Sequence, residues 1–136
     1  VERAIEACKA RGAKRAVALP VSVPSHCELM RPAAERFAEA VEAVQWQMPQ
    51  IALVQNVTAQ VPADLAALKR DLLAQLYSPV RWVESVQLLA EKGVTDLVEC
   101  GPGKVLAGLN KRCAKGVTTH NLDSADAFGA ARAALA

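Results

Sequence analysis

Short apolar runs alternate with amphipathic stretches along the whole chain, and this alternation restricts the possible folds more than any other feature of the sequence. An apolar run of strand length predicts a buried strand, and apolar residues at spacings of three and four predict a helix. Their alternation predicts an α/β layer architecture with a mainly parallel sheet. The predicted strands are 15–22, 51–54, 94–100 and 117–121, and the predicted helices are 1–11, 25–48, 62–77, 78–93, 105–113 and 124–135.

Composition excludes several classes of protein. The 136 residues correspond to one domain, in which 16 Lys and Arg nearly balance 14 Asp and Glu and aromatic residues make up 4%, so nucleic acid is not an expected partner. No apolar run approaches the roughly 18 residues of a membrane span, so a membrane is not expected either. Four scattered cysteines without a C-x-x-C pair predict reduced thiols and a cytoplasmic location, with no zinc site. The first residues lack both an initiator Met and a leading apolar stretch, so we expect a fragment of a longer chain.

His26 is the most informative single residue. Ser25 as N-cap and Glu28 three positions later match a capping box, which predicts that His26 lies in the first turn of a helix. A helix dipole disfavours the imidazolium there, so the ring would be a free base suited to general-base catalysis. The alternative, that His26 only caps or packs at an elbow, stays open from position alone. Cys27 cannot pair with it, because adjacent helical residues point about 100° apart, and we expect it to be a small core residue.

Other features have ordinary interpretations. The Gly-Pro-Gly-Lys loop at 101–104 looks like the end of a phosphate-binding loop but lacks the following Ser or Thr, so it predicts a tight strand-to-helix turn. Residues 56–58 predict a polar turn, and His120 predicts a solvated strand residue. The excess of positive charge in residues 1–20 indicates a solvated helix end, with an acidic partner protein as the alternative. Its cationic residues are Arg3, Lys9, Arg11, Lys14 and Arg15.

Three blocks together resemble a known family: LPVSVPSHCELMRP at 19–32, QLYSPVRW at 75–82 and ECGPGKVL at 99–106. They resemble the C-terminal part of bacterial malonyl-CoA:acyl carrier protein transacylases, in the same order and at compatible spacing. The resemblance implies that residues 1–22 end a ferredoxin-like small subdomain. It implies that residues 23–136 form the C-terminal part of an α/β-hydrolase-like large subdomain with parallel strands.

The resemblance also implies a reaction. In that family a Ser on a G-x-S-x-G elbow takes malonyl from malonyl-CoA and passes it to the phosphopantetheine thiol of acyl carrier protein. His26 matches the family's base, and Gln75 matches the residue whose backbone carbonyl orients that imidazole. No metal or resident cofactor is implied. The nucleophilic Ser, the oxyanion hole and the malonyl-binding Arg have no match here, so we expect the chain alone to be inactive and its partner to be the missing N-terminal part of the same enzyme.

Two alternatives remain at this point. One is a non-catalytic carrier-protein interaction module, in which His26 is only a cap. The other is a polyketide-type acyltransferase with another extender unit, although the Val-Pro-Ser-His sequence at 23–26 looks like the stand-alone bacterial enzyme. In either case a fragment without the first strands of its sheet exposes strand edges, so we expect self-association.

Overall fold

The computed structural model describes residues 1–136 and contains six α-helices, one short 3-10 helix and two strands. The 3-10 helix runs directly into the second α-helix, and turns or loops separate the other elements. In chain order they are α1 (Glu2–Ala10), the 3-10 helix (Glu28–Met30), α2 (Arg31–Ala43), α3 (Leu65–Ala74), α4 (Trp82–Glu91), β1 (Asp96–Glu99), α5 (Val105–Cys113), β2 (Thr118–Asn121) and α6 (Ala125–Ala134).

The C-terminal half forms the β-α-β unit that the apolar pattern predicts. β1 and β2 are parallel, with Asp96 opposite Thr118 and Glu99 opposite Asn121. α5 connects them and packs against α4 and β2, while α6 packs against β2. The predicted elements 94–100, 105–113, 117–121 and 124–135 are therefore confirmed in type, and the chain is a mixed α/β structure with a small parallel sheet.

The two remaining predicted strands, 15–22 and 51–54, are wrong, because the structure has no strand in either segment. A strand requires a neighbour for its backbone hydrogen bonds, and the sheet contains β1 and β2 only. The apolar side chains of the first segment face solvent instead, with exposed fractions of 56% for Val17, 73% for Leu19 and 70% for Val21.

The start of the second helix also differs from the prediction. Ser25 caps no helix, the 3-10 turn begins at Glu28, and α2 begins at Arg31. Pro32 lies in the first turn of α2, where its missing N–H would have had no helical partner, so it begins the helix rather than kinking it.

Two other helices begin three residues later than predicted. α3 begins at Leu65 rather than Pro62, because the Asp64 carboxylate accepts the Ala67 N–H at 2.7 Å and so forms the N-cap. α4 begins at Trp82 rather than after Ser78, because the Arg81 N–H donates to the Asn56 carbonyl at 2.9 Å and holds the preceding residues against a distant turn.

Little of the chain is fully buried. Val41 and Val86 are the most enclosed large side chains, at the packed faces of α2 and α4. α2 packs against α3, and α4 packs against α5, so two small apolar clusters support the molecule. None of its helices combines the length and the apolar character needed to cross a bilayer.

Candidate active site

His26 lies against the C-terminal end of α3, although 49 residues separate it from Gln75 in the chain. Its backbone N–H donates to the Leu76 carbonyl at 2.9 Å, and its Nδ1 lies 2.7 Å from the Gln75 carbonyl oxygen. A carbonyl oxygen can only accept a hydrogen bond, so Nδ1 carries the proton. In the neutral ring the lone pair is therefore on Nε2.

The Gln75 carbonyl is available because a helix leaves its last four C=O groups without helical partners, and the Leu76 carbonyl lies one residue beyond the C-cap. The N–H groups of Leu76 and Tyr77 turn back to Leu73 and Ala74, each at 3.2 Å, and tighten the last turn. The carbonyls of Gln75 and Leu76 point beyond that turn, and His26 fills both with donors.

The backbone of His26 has a φ of 62°, in the left-handed region that side chains other than glycine rarely adopt. His26 is therefore not in the first turn of a helix, and the dipole argument from the sequence is wrong for this geometry. The two hydrogen bonds to α3 replace the capping box as the reason for its position. A non-glycine residue in this region costs of order 1–3 kcal/mol and persists where the surroundings fix it.

The reactive edge of His26 is open. The residue is exposed, and Nε2 has no hydrogen-bond partner within the chain. Cys27 is half-buried, and its thiol donates to the Pro24 carbonyl at 3.1 Å rather than to the imidazole. Cys27 and His26 thus form no hydrogen bond with each other, although neither lies within a helix as the sequence argument assumed.

A charged and aromatic cluster follows His26 along the chain. The Arg31 guanidinium lies over the Tyr77 ring, 4.0 Å from its centroid, and is paired with the Glu28 carboxylate. The hydrogen bond between them lowers the pKa of Glu28 below its ordinary value of 4.5 and raises the pKa of Arg31. Tyr77 comes two residues after Gln75, so this cluster links the start of α2 to the segment that receives His26.

A contact that the sequence did not predict holds the side chain of Gln75. The Asn56 side-chain Nδ2 donates to the Gln75 Oε1 at 3.0 Å. The sequence indicated only a polar turn at 56–58, and the turn is present. No local signal connects Asn56 to Gln75, because the pair is created by packing of the turn along α3.

The 101–104 loop is a tight turn, as predicted. Gly103 has a φ of +90°. The Glu99 carboxylate accepts the N–H groups of Leu106 at 3.1 Å and Ala107 at 2.9 Å, which fills the anion-binding position at the start of α5. Lys104 pairs with Asp123 at 3.5 Å. The phosphate-loop interpretation has no geometric support here.

His120 differs from the prediction of a solvated strand residue. Its side chain is 16% exposed, and its Nε2 lies 2.9 Å from the Asp96 Oδ1 across the strand pair. That hydrogen bond, helped by a second from Thr95, lowers the pKa of Asp96 below its ordinary value of 3.8. His120 thus joins β2 to β1 and is remote in sequence from the segment around His26.

The remaining charged features form no further site. The side chains of the basic N-terminal segment are exposed or half-buried and form no ion pairs, and α1 has no buried residue, as a solvated helix end would have. No group of three or more His, Cys, Asp and Glu side chains is placed to hold a metal ion.

Comparison with known proteins identifies relatives of this chain. No protein-family model matches the chain. The malonyl CoA-acyl carrier protein transacylase of Salmonella typhimurium is 49% identical over 131 residues, which are 96% of this chain and 42% of that protein. The chain is homologous to part of the malonyl CoA-acyl carrier protein transacylases. The resemblance seen in the three sequence blocks is confirmed.

Solved structures of transacylases are also similar to this chain. The malonyl-CoA:acyl carrier protein transacylase of Xanthomonas oryzae superposes with a TM-score of 0.91 at 46% identity, over 98% of this chain and 42% of that chain. A malonyl-transacylase in complex with its type II polyketide synthase acyl carrier protein superposes with a TM-score of 0.87 at 45% identity, over 96% of this chain and 42% of that chain. The chain thus spans about two fifths of the length of the transacylases it matches.

Proposed function

We propose that this chain supplies the base of a malonyl transferase, and that His26 is that base. One observation carries the proposal: the Gln75 carbonyl holds Nδ1 of His26 at 2.7 Å and leaves Nε2 without a partner on an exposed residue. Homology to the malonyl CoA-acyl carrier protein transacylases supplies the substrate class. The acyl donor would be malonyl-CoA, and the acyl acceptor would be the phosphopantetheine thiol of acyl carrier protein.

The proposed reaction has two half-reactions at one serine, which belongs to the part of the enzyme outside this chain. In the first, Nε2 of His26 accepts the serine proton as the serine oxygen attacks the malonyl thioester carbonyl. The carbon–sulfur bond then breaks, the coenzyme A sulfur takes the proton from His26, and a malonyl-serine ester remains. In the second, Nε2 accepts the proton of the carrier-protein thiol, the sulfur attacks the ester, and the serine oxygen leaves with that proton.

The Gln75 carbonyl has a defined role in this scheme. It fixes the imidazole plane and keeps the proton on Nδ1, so that the lone pair on Nε2 stays available for both half-reactions. The chemistry consists of proton transfers and acyl exchange between oxygen and sulfur, so we propose that it needs no resident metal or cofactor.

The other expectations from the sequence are part of the same proposal. Residues 1–22 would end a ferredoxin-like subdomain and residues 23–136 would belong to an α/β-hydrolase-like subdomain. The chain alone would be inactive, and its partners would be acyl carrier protein and the rest of the enzyme. The four unpaired cysteines suit a reducing compartment, so we propose a cytoplasmic location.

The test joins this chain to the N-terminal part of the Escherichia coli relative, which is 47% identical over the shared region. The hybrid should form an acyl-serine with malonyl-CoA and transfer malonyl to the carrier protein. His26→Ala should lower kcat by about 10²–10⁴-fold, the contribution of general-base catalysis. His120→Ala is the matched control and should retain transfer.

The results with these hybrids distinguish the proposed function from its two alternatives. Undiminished transfer by the His26→Ala hybrid would refute the assignment of the base. If the 136-residue chain binds carrier protein and no hybrid transfers malonyl, the interaction module is favoured, with the unpaired cations of residues 1–20 as its surface. A panel of acyl-CoA substrates on the active hybrid would reveal another extender unit.

A further inference from the structure

The turn at 55–60 lies along one face of α3 and donates hydrogen bonds to it at three positions. Gln55 Nε2 donates to the Leu68 carbonyl at 3.4 Å, Thr58 Oγ1 donates to the Asp71 Oδ2 at 3.4 Å, and Asn56 Nδ2 donates to the Gln75 Oε1 at 3.0 Å. Positions 68, 71 and 75 are spaced by three and four, so they share one helix face. The shortest of the three bonds is the one at the residue that holds His26.

The turn is itself rigidly held, so it can serve as a fixed support. The Gln55 N–H donates to the Gln60 carbonyl at 2.9 Å, and the Ala59 N–H donates to the Gln55 carbonyl at 2.8 Å. The backbone N–H of Arg81 also holds the turn, because it donates to the Asn56 carbonyl at 2.9 Å. Ala59 is 2% exposed and has a φ of 53°.

Gln75 needs such a support. It follows the last residue of α3, and its own N–H donates to the Asp71 carbonyl at 3.0 Å as the final helical bond. Beyond that bond, the N–H groups of Leu76 and Tyr77 bond to Leu73 and Ala74, which holds the backbone of the last turn but not the Gln75 side chain. The Asn56–Gln75 bond holds the residue by its side chain as well, on the side of α3 that faces the turn.

We propose that Asn56 is a positioning residue for the base: by fixing Gln75, it fixes the carbonyl that selects the Nδ1–H tautomer of His26. The catalytic meaning of this inference rests on the proposed function. The tautomer itself belongs to the 136-residue chain and can be measured without any catalysis.

The experiment is imidazole ¹⁵N NMR on the labelled 136-residue chain, at a pH where both histidine rings are neutral. The ratio of Nδ1–H to Nε2–H tautomer at His26 is the readout, and the preserved His120–Asp96 pair reports that the fold is intact. Asn56→Ala should lower that ratio about fivefold, the factor that corresponds to one net hydrogen bond of about 1 kcal/mol.

Two further variants make the result specific. Thr58→Val removes another bond between the same turn and α3 and should leave the His26 ratio unchanged. Gln75→Ala keeps the backbone carbonyl but removes Oε1, so it should reproduce the effect of Asn56→Ala, and the double variant should show no further loss. Gln75→Ala also carries the test if Asn56→Ala does not fold.

An unchanged ratio in Asn56→Ala, an equal change in Thr58→Val, or additive effects of Asn56→Ala and Gln75→Ala would each overturn the inference. Failure of the proposed function would give a different result. The His26→Ala hybrid would still transfer malonyl, while Asn56→Ala would still change the tautomer ratio of His26. In an active hybrid, Asn56→Ala should lower kcat in proportion to the lost fraction of the Nδ1–H tautomer, by at most about fivefold and with KM unchanged, and Thr58→Val should change neither constant.

Discussion

Backbone strain and hydrogen bonding at single residues concentrate around Gln75. The two non-glycine residues with positive φ, His26 and Ala59, lie in the two segments that contact Gln75, one at its backbone carbonyl and one at its side chain. Strained conformations persist where surrounding bonds over-determine them, and functional sites are where they cluster. Gln75 is thus the residue that contacts both His26 and Asn56.

A second residue-scale feature, the Asp96–His120 pair, predicts a dependence of stability on pH. The pKa of Asp96 is lowered in the folded chain, first by the hydrogen bond from His120, so folding favours the ionised carboxylate. That stabilisation is fully present above about pH 4 and is lost as the pH falls through the lowered pKa. Urea unfolding from about pH 2 to pH 6 should show the difference between the wild type and Asp96→Asn shrinking at the acidic end.

His120→Ala provides the check on this mechanism. In that background the Asp96→Asn substitution should have a much weaker pH dependence, because the main cause of the lowered pKa is gone. A difference that grows on acidification would contradict the assignment.

Among the elements, the β1–α5–β2 unit depends on the turn that begins α5. Glu99 ends β1 and accepts two N–H groups of α5, so strand and helix are joined by one side chain. Gly103 has a φ of +90°, which lets the chain reverse between them. The unit therefore requires a glycine at this position and an acceptor at the end of β1.

Two glycines of this turn form a matched pair for substitution. An added Cβ meets nothing within 4 Å at either Gly101 or Gly103, but only Gly103 has positive φ. Gly103→Ala should lower the free energy of unfolding by roughly 1–2 kcal/mol, the cost of the left-handed region for an L residue. Gly101→Ala should change it far less, and equal losses in denaturant unfolding would show that backbone strain is not the cause.

Across the whole molecule, apolar surface remains uncovered. The sheet has two strands, each with one free edge, and Leu19, Ile51 and Val105 are exposed by 73%, 84% and 73%. Exposed apolar side chains and open strand edges favour association with other chains. The chain spans 42% of the length of its Salmonella typhimurium relative.

We expect the isolated chain to associate with further copies of itself. Sedimentation velocity at increasing concentration should show species heavier than the 14.4 kDa monomer. Leu19→Glu with Val21→Glu should reduce that association, because charges replace two of the exposed apolar side chains of the 15–22 segment. A single monomeric species at every concentration would contradict this expectation.

Elements with local signals could be predicted from the amino-acid sequence. α1 before Gly12, α5 after the Gly-Pro-Gly turn, and the β1–α5–β2–α6 order all follow from apolar spacing, glycine positions and caps within a few residues of each element. Family resemblance in three blocks added the expectation that His26 and Gln75 act together, and the structure brings Nδ1 and the carbonyl into contact. Their catalytic roles stay predictions.

The remaining features depend on contacts between segments that are distant in the chain. Segments 15–22 and 51–54 have the composition of strands but no partner strand, because sheet pairing depends on residues far away in the chain. His26 lies outside the predicted helix because its N–H and Nδ1 are held by two carbonyls at the end of α3, about 50 positions later, and Glu28 pairs with Arg31 instead of completing a capping box. The Asn56–Gln75 bond had no local signal for the same reason: a contact across 19 residues exists only after the helices have packed.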